Sequence, residues 1–219
     1  LGTETTLSRF NGTTVVNYTR EDGISGVANV HIADIFVDAD DVLWCAGTGL
    51  SRFDPNGLTS FARRDGVRSL REGGTAGVME IERDSGKNFW IGTGHSGAFR
   101  TDGMKLEAPV LEKHMITKIH RAADGTLWFG THRGIDKFEN GQMVRVLERN
   151  NVNALTTDAQ GRLWYGDGWL GGGLSRFNPE SREETTFTTA DGLPNNHVWA
   201  IEPNSDGGVW VGTEKGLAR

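Results

Sequence analysis

Leu127-Trp128-Phe129-Gly130-Thr131, followed after two residues by Gly134-Ile135-Asp136-Lys137-Phe138, is the stretch from which the fold can be read. The first phrase recurs as Leu43-Trp44-Cys45-Ala46-Gly47-Thr48, Phe89-Trp90-Ile91-Gly92-Thr93, Leu163-Trp164-Tyr165-Gly166-Asp167 and Val209-Trp210-Val211-Gly212-Thr213. The tryptophan spacings are 46, 38, 36 and 46. Nine residues before each tryptophan stands Ile35, Ile81, Ile119, Leu155 or Ile201, and twelve before stands Ile32, Val78, Ile116, Val152 or Val198. A polar turn such as Asp124-Gly125 or Asp206-Gly207 lies in between. The second phrase recurs as Gly49-Leu50-Ser51-Arg52-Phe53 and Gly173-Leu174-Ser175-Arg176-Phe177, with a degenerate copy at Gly97-Ala98-Phe99-Arg100.

Short apolar runs bounded by turn residues read as strands, and no segment sustains a 3.6-residue period, so almost no helix is expected. Each repeat supplies four strands: one ending near the aliphatic, one carrying the tryptophan, one carrying Leu-x-Arg-Phe, and a weaker fourth such as Val15-Val16-Asn17-Tyr18. Four strands per roughly 40 residues, repeated, is the pattern of a β-propeller of antiparallel blades. A solenoid of hairpins is the competing architecture. Stacked blades would bury the repeat tryptophans Trp44, Trp90, Trp128, Trp164 and Trp210, and the glycine after the tryptophan would admit a neighbouring blade. The expected division is one all-β propeller with about five blades: a partial blade at 1–29, blades at about 30–74, 75–113, 114–149 and 150–195, and a partial blade at 196–219. Both ends carry a Leu-x-Arg strand, so they duplicate each other, and an incomplete ring cut from a larger propeller is the expectation. Bare blade faces would then invite dimerisation.

Composition narrows the functional classes. Glycine contributes 31 of 219 residues, about twice its usual share, as a turn-rich chain requires. A net charge of −6 argues against a nucleic-acid partner. No apolar run has the length of a membrane span. The single Cys45 excludes an internal disulfide framework and a multi-cysteine zinc site, and beside Trp44 it reads as a buried thiol.

The pattern Val-x-x-Ile, Asp-x-x-Gly, Leu-Trp-x-Gly-Thr-x-x-Gly-Leu-x-Arg-Phe resembles the two-component regulator propeller repeat. Asp191-Gly192-Leu193-Pro194-Asn195-Asn196-His197-Val198 is similar to that family's inter-blade linker. Ala46, Asp167 and Thr101 depart from the pattern in single blades. The resemblance implies a periplasmic sensor region of a bacterial hybrid sensor kinase. A membrane-anchored histidine kinase would then stand in the same parent chain, and a small extracellular ligand, commonly an oligosaccharide, would be bound without catalysis. It implies no cofactor.

In a propeller, the loops joining strand four to the next strand one share a face with those joining strands two and three. That face would carry His31, His95, His114, His132 and His197, but not His120. Imidazoles there can hydrogen-bond a ligand, bind metal or move protons, although polar residues gather in loops in any case. Trp169 lies in the longest insertion, Asp167-Gly168-Trp169-Leu170-Gly171-Gly172, outside the repeat. An indole amid glycines there either stacks on a sugar ring or folds back on its own blade. Trp199 would face the central channel. Arg68, Arg71 and Arg133 could hold carboxylates or sulfates, with solvated surface charge as the plainer reading. The ligand-binding residues expected are thus His95, His132, Arg133, Trp169, Asn196, His197, Glu214 and Arg71, with no catalytic group and no metal site.

Two other readings stand beside the sensor. The chain is more distantly similar to streptogramin lyases, propellers that use a histidine base with a metal ion, for which His132, His197 and Glu214 form the candidate set. The third reading is a protein-interaction scaffold. Gly92-Thr93-Gly94-His95-Ser96-Gly97 spells a dinucleotide fingerprint but lacks the strand–helix context. Asp38-Ala39-Asp40-Asp41 reads as a turn, not a calcium loop. No Gly-x-Ser-x-Gly elbow appears.

Overall fold

Every residue of the phrase 127–131 is buried. A strand covered on both faces tolerates a continuous apolar run, which is why these phrases do not alternate in the manner of a half-exposed strand. The computed structural model describes residues 6–19, 32–38, 40–47, 50–54, 57–61, 77–84, 86, 88–102, 107–108, 110–204 and 207–219. The chain divides into two units, Leu1–Met115 and Ile116–Arg219.

In the N-terminal unit, β1 (Leu7–Phe10) pairs with β2 (Val15–Tyr18). A four-stranded sheet follows in the order β3 (Asp34–Val37), β4 (Leu43–Ala46), β5 (Leu50–Asp54) and β6 (Gly57–Phe61). The next sheet is β7 (Val78–Arg83), β8 (Phe89–Thr93) and β9 (Ala98–Thr101), with Ala98 bridged to Val110.

In the C-terminal unit, β10 (Ile116–Arg121), β11 (Leu127–Thr131), β12 (Gly134–Glu139) and β13 (Gln142–Glu148) form one blade. The next is β14 (Ala154–Thr157), β15 (Leu163–Gly166), β16 (Leu174–Phe177) and β17 (Glu184–Phe187). The third sheet is β18 (Val198–Pro203), β19 (Val209–Thr213) and β20 (Gly216–Ala218). Every sheet is an antiparallel meander in sequence order. A 3-10 turn at Thr189–Asp191, closed by a Thr188–Asp191 capping box, is the helical element among the described residues. None of these has a helix long and apolar enough to cross a membrane.

The cores lie between consecutive sheets. Trp44, Leu50, Val78, Ile81 and Phe89 join the β3–β6 and β7–β9 sheets. Trp128, Ile135, Leu147, Leu155, Leu163, Tyr165 and Phe177 join the blades β10–β13 and β14–β17. Trp164, Leu174, Val198 and Val211 join the latter to β18–β20. The glycine after the tryptophan has the expected role: a Cβ on Gly166 would lie 2.5 Å from the Val198 Cβ of the next sheet.

The polar turn does more than reverse the chain. Six residues before Trp44 and Trp164 stand Asp38 and Asp158, each accepting the indole N–H, at 2.9 and 2.8 Å. The same carboxylates cap their turns by accepting the amides of Val42 and Arg162. Burial alone would raise both carboxyls. The hydrogen bonds from indole and backbone outweigh it and hold both below the usual range. At Asp84 the partner is instead Arg100, at 2.7 Å. The basic residue of the Leu-x-Arg phrase covers the indole face, with Arg52, Lys137, Arg176 and Arg219 at 5.9, 5.9, 5.6 and 5.6 Å from the ring centroids.

One core expectation fails. Trp44, Trp90, Trp128 and Trp164 are 2%, 2%, 6% and 7% exposed, whereas Trp210 is 41% exposed. Position in the repeat alone therefore does not bury a tryptophan. Cys45 is buried, and burial pushes its thiol up to about 11.

Candidate functional site

The connections of the C-terminal unit gather at one end of its sheets. The Asn151 amide donates to His132 O (3.2 Å), Val198 N to Asp167 O (3.2 Å), and Glu214 N to His197 O (3.1 Å). The loop between strands two and three differs sharply among the blades. In β10–β13 it is the two-residue turn His132-Arg133. In β14–β17 it is a seven-residue excursion over 167–173.

That excursion is held at several points. Asp167 Oδ1 accepts the amides of Trp169 (2.8 Å) and Leu170 (2.9 Å), so the aspartate nucleates its own turn. His197 Nδ1 lies 2.9 Å from Gly168 O. A carbonyl can only accept, so Nδ1 carries a proton. Gly173 N donates to Asn196 O (3.0 Å), which fixes the far end of the loop. A Cβ on Gly168 would stand 2.6 Å from the Trp199 ring, so this glycine lets the indole pack directly on the loop backbone.

Trp169 is 64% exposed although it is the centre of this construction. It meets Trp199 in a T-shaped contact with centroids 5.4 Å apart, a pairing worth ~1 kcal/mol. With the Asn153 amide oriented to satisfy both ends, its oxygen accepts Trp169 Nε1 (3.0 Å) and its nitrogen donates to Asn151 O (3.0 Å). The indole is therefore fixed in orientation while its ring stays accessible. Trp199, expected to face a channel, is 44% exposed.

Beside this loop lies a recess of about 570 Å³, a volume usual for small-molecule sites. It is walled by residues 149–152 of the preceding connection, by the 167–173 loop and by β15–β17. Tyr165 donates its hydroxyl to Glu184, Arg149 Nη2 pairs with the same carboxylate, and Arg149 Nε donates to Tyr165 Oη at 3.2 Å. Burial, reinforced by Glu184, pushes the Tyr165 phenol up to about 12, so it is a neutral donor. Burial would lower the Arg149 guanidinium, but Tyr165 and Glu184 outweigh it and raise it. Cross-strand pairing sets Tyr165, Ser175 and Thr186 in one row, with the Ser175 and Thr186 hydroxyls 2.9 Å apart.

Of the residues expected to bind ligand, Trp169, Asn196, His197 and Glu214 are linked through the contacts above. His132 and Arg133 form the neighbouring turn: His132 is half-buried and Arg133 exposed. The Asn196 side chain is engaged in accepting the Thr189 amide at 2.8 Å. His95 is exposed on the β8–β9 turn of the N-terminal unit. Arg71, Arg68 and His31 lie outside the described residues. His120, set apart from the loop face in the sequence reading, joins two blades: its Nε2 accepts the Thr157 amide (3.1 Å) and meets Thr157 Oγ1 (2.8 Å).

The Arg149–Tyr165–Glu184 cluster was not anticipated from sequence. A signal was available. The residue after each repeat tryptophan is Cys45, Ile91, Phe129 or Val211, and a phenol at Tyr165 departs from that apolar set. Arg149 and Glu184 carry no comparable mark.

Residues 192–215 match the family described as two component regulator propeller. No curated protein matches the chain. Among solved structures, the extracellular domain of the proposed hybrid two component system BT3049 from B. thetaiotaomicron aligns at 22% identity and TM-score 0.74. That alignment covers 92% of this chain and 29% of that one. The extracellular domain of the proposed one component system BT4673 from the same organism aligns at 19% identity and TM-score 0.70, covering 97% of this chain and 31% of that one. Virginiamycin B lyase from Staphylococcus aureus aligns at 17% identity and TM-score 0.73, covering 96% and 71%. The chain thus spans about three-tenths of the two extracellular domains. At these identities the likeness establishes the fold, a β-propeller. With its matching segment at 192–215, the chain carries the two component regulator propeller repeat.

Proposed function

We propose that the chain is a non-enzymatic sensor module of a bacterial two-component signalling protein, lying on the periplasmic or extracellular side of the membrane. It binds a small extracellular ligand, an oligosaccharide, on the loop end of the C-terminal unit. A membrane-anchored histidine kinase in the same parent chain would read the binding. The match at 192–215 and the likeness to the BT3049 and BT4673 domains support the signalling role.

The observation that carries the ligand class is Trp169. It lies outside the repeat, is 64% exposed, and is nonetheless pinned through Asn153, Asp167 and Trp199. A pre-oriented, open indole face suits the apolar face of a pyranose. The test is a thermal-shift screen against oligosaccharides. A ligand that binds only the folded chain raises its melting temperature by mass action. The expected result is a saccharide-specific rise that Trp169→Ala abolishes. A rise unaffected by Trp169→Ala would place the ligand elsewhere, and the absence of a rise with any saccharide would overturn the ligand class.

The likeness to virginiamycin B lyase favours a second reading, metal-assisted lysis. It requires His132, His197 and Glu214 to converge on an ion. Among the described residues no three His, Cys, Asp or Glu side chains are grouped to hold one. A melting-temperature rise seen with divalent ions alone would favour the lyase over the sensor.

A further inference from the structure

The recess beside the 167–173 loop has a charge arrangement that bears on what it can accept. Its cation, Arg149, is already engaged by Glu184 and Tyr165. Of its two carboxylates, Glu184 holds Arg149 and Tyr165, and Asp167 holds two backbone amides. An anionic ligand would have to displace Glu184 from Arg149 while remaining beside two negative charges. A cationic ligand would compete with Arg149 for Glu184. The pair is itself partly exposed, so what a charged ligand would disrupt is the shared network of Arg149, Glu184 and Tyr165 and not a buried ion pair.

What remains for a ligand is uncharged. The row Tyr165–Ser175–Thr186 lines the recess with hydroxyls. Tyr165 is engaged by Glu184 and Arg149, while Ser175, buried, and Thr186, exposed, share a hydrogen bond that leaves the pair further capacity to donate or accept. The equivalent row of the preceding blade is Phe129–Asp136–Arg145, closed by an ion pair at 2.8 Å. The β3–β6 sheet sets Cys45, Ser51 and Ser60 in the same register, so the serine recurs between blades and Tyr165 is what distinguishes this row.

Resting on the proposed oligosaccharide reading, we infer that the recess is a subsite selective for neutral polyhydroxylated rings. It discriminates against uronic acids, sulfated sugars and amino sugars, and the Arg149–Glu184 pair sets that selectivity. The ring occupying it would exchange hydrogen bonds with Ser175 and Thr186 while a neighbouring ring stacks on Trp169.

The experiment is calorimetric titration of the full chain with gluco-, xylo-, manno- and galacto-oligosaccharides, and with oligogalacturonate and glucosamine oligomers. The titrations are repeated on Glu184→Gln, on Ser175→Ala with Thr186→Val, and on Trp169→Ala, each first checked for an unchanged cooperative melt. The expected result is a neutral oligosaccharide bound at least ~tenfold tighter than any charged one. The Ser175/Thr186 variant should lose about fivefold or more, and Glu184→Gln should narrow the gap to oligogalacturonate. A charged oligomer bound as tightly as the best neutral one overturns the subsite and leaves the sensor reading intact. So does neutral binding lost with Trp169→Ala but indifferent to Ser175 and Thr186. Absence of binding by every oligosaccharide overturns both.

Discussion

The blades β10–β13 and β14–β17 are built on the same repeat phrases, and a few of the positions at which they differ set them apart. Both bury their tryptophan, Trp128 and Trp164, under a cation from the third strand. Yet the first has Ala122 where the second has the indole-binding Asp158, and Phe129 where the second has Tyr165. Its strands two and three join through His132-Arg133, where the second interposes 167–173. The shared residues make a sheet that stacks. The differing ones make a recess and a displayed indole. Scaffold and site are therefore separable within one repeat, as expected where loops vary on a fixed framework.

The largest effect that would sharpen this contrast is at the indole clamp. Asp158 is buried and serves Trp164, Arg162 and two turn amides, so Asp158→Ala strands several donors at once. It should cost ~3 kcal/mol in urea unfolding. Asp124→Ala, in the exposed turn of the preceding blade, should cost less than ~1 kcal/mol. Equal losses would mean that the clamp adds nothing to the turn.

Next is the joint between the two blades. Burial, with Lys118 as the second cause, lowers His120 from 6.5 to about 4. The unfolded chain takes up its proton near 6.5 and the folded chain resists until about 4. The contribution is therefore complete above 6.5 and declines as pH falls through that window, by up to ~3 kcal/mol. Melting temperatures between pH 7 and 4.5 should drop more steeply for the wild type than for His120→Gln. Parallel curves would contradict the buried, neutral imidazole.

A smaller effect comes from making the second blade like the first. Tyr165→Phe removes one donor to Glu184 and one acceptor for Arg149, and should cost ~1–2 kcal/mol in thermal unfolding. Pairing it with Glu184→Gln in a double-mutant cycle should show coupling, since the two share a network. Strict additivity would break the cluster into independent contacts.

The strand pattern was legible because burial on both faces forces runs such as 127–131 to be continuously apolar and glycine-bounded. Gly166 shows why the glycine recurs. The fate of Trp210 was not legible, since its exposure depends on what covers the sheet and not on its own phrase. Trp169 could be singled out as lying outside the repeat, but its hold on Asn153 joins residues 16 apart, across two connections. Arg149 meeting Glu184 is a contact between two blades at a separation of 35 residues, which no local spacing encodes. Asp38 and Asp158 could be read as turn formers. Their role toward the indole six residues on needed the strand geometry.

The most direct test of the separation between scaffold and site is a loop exchange. Residues 167–173 are replaced by Thr-His-Arg-Gly, the sequence of 131–134, and urea unfolding is measured together with oligosaccharide titration. The account predicts a cooperative transition within ~1 kcal/mol of the parent chain and no saccharide binding. Retained binding, or collapse of the fold, would contradict it.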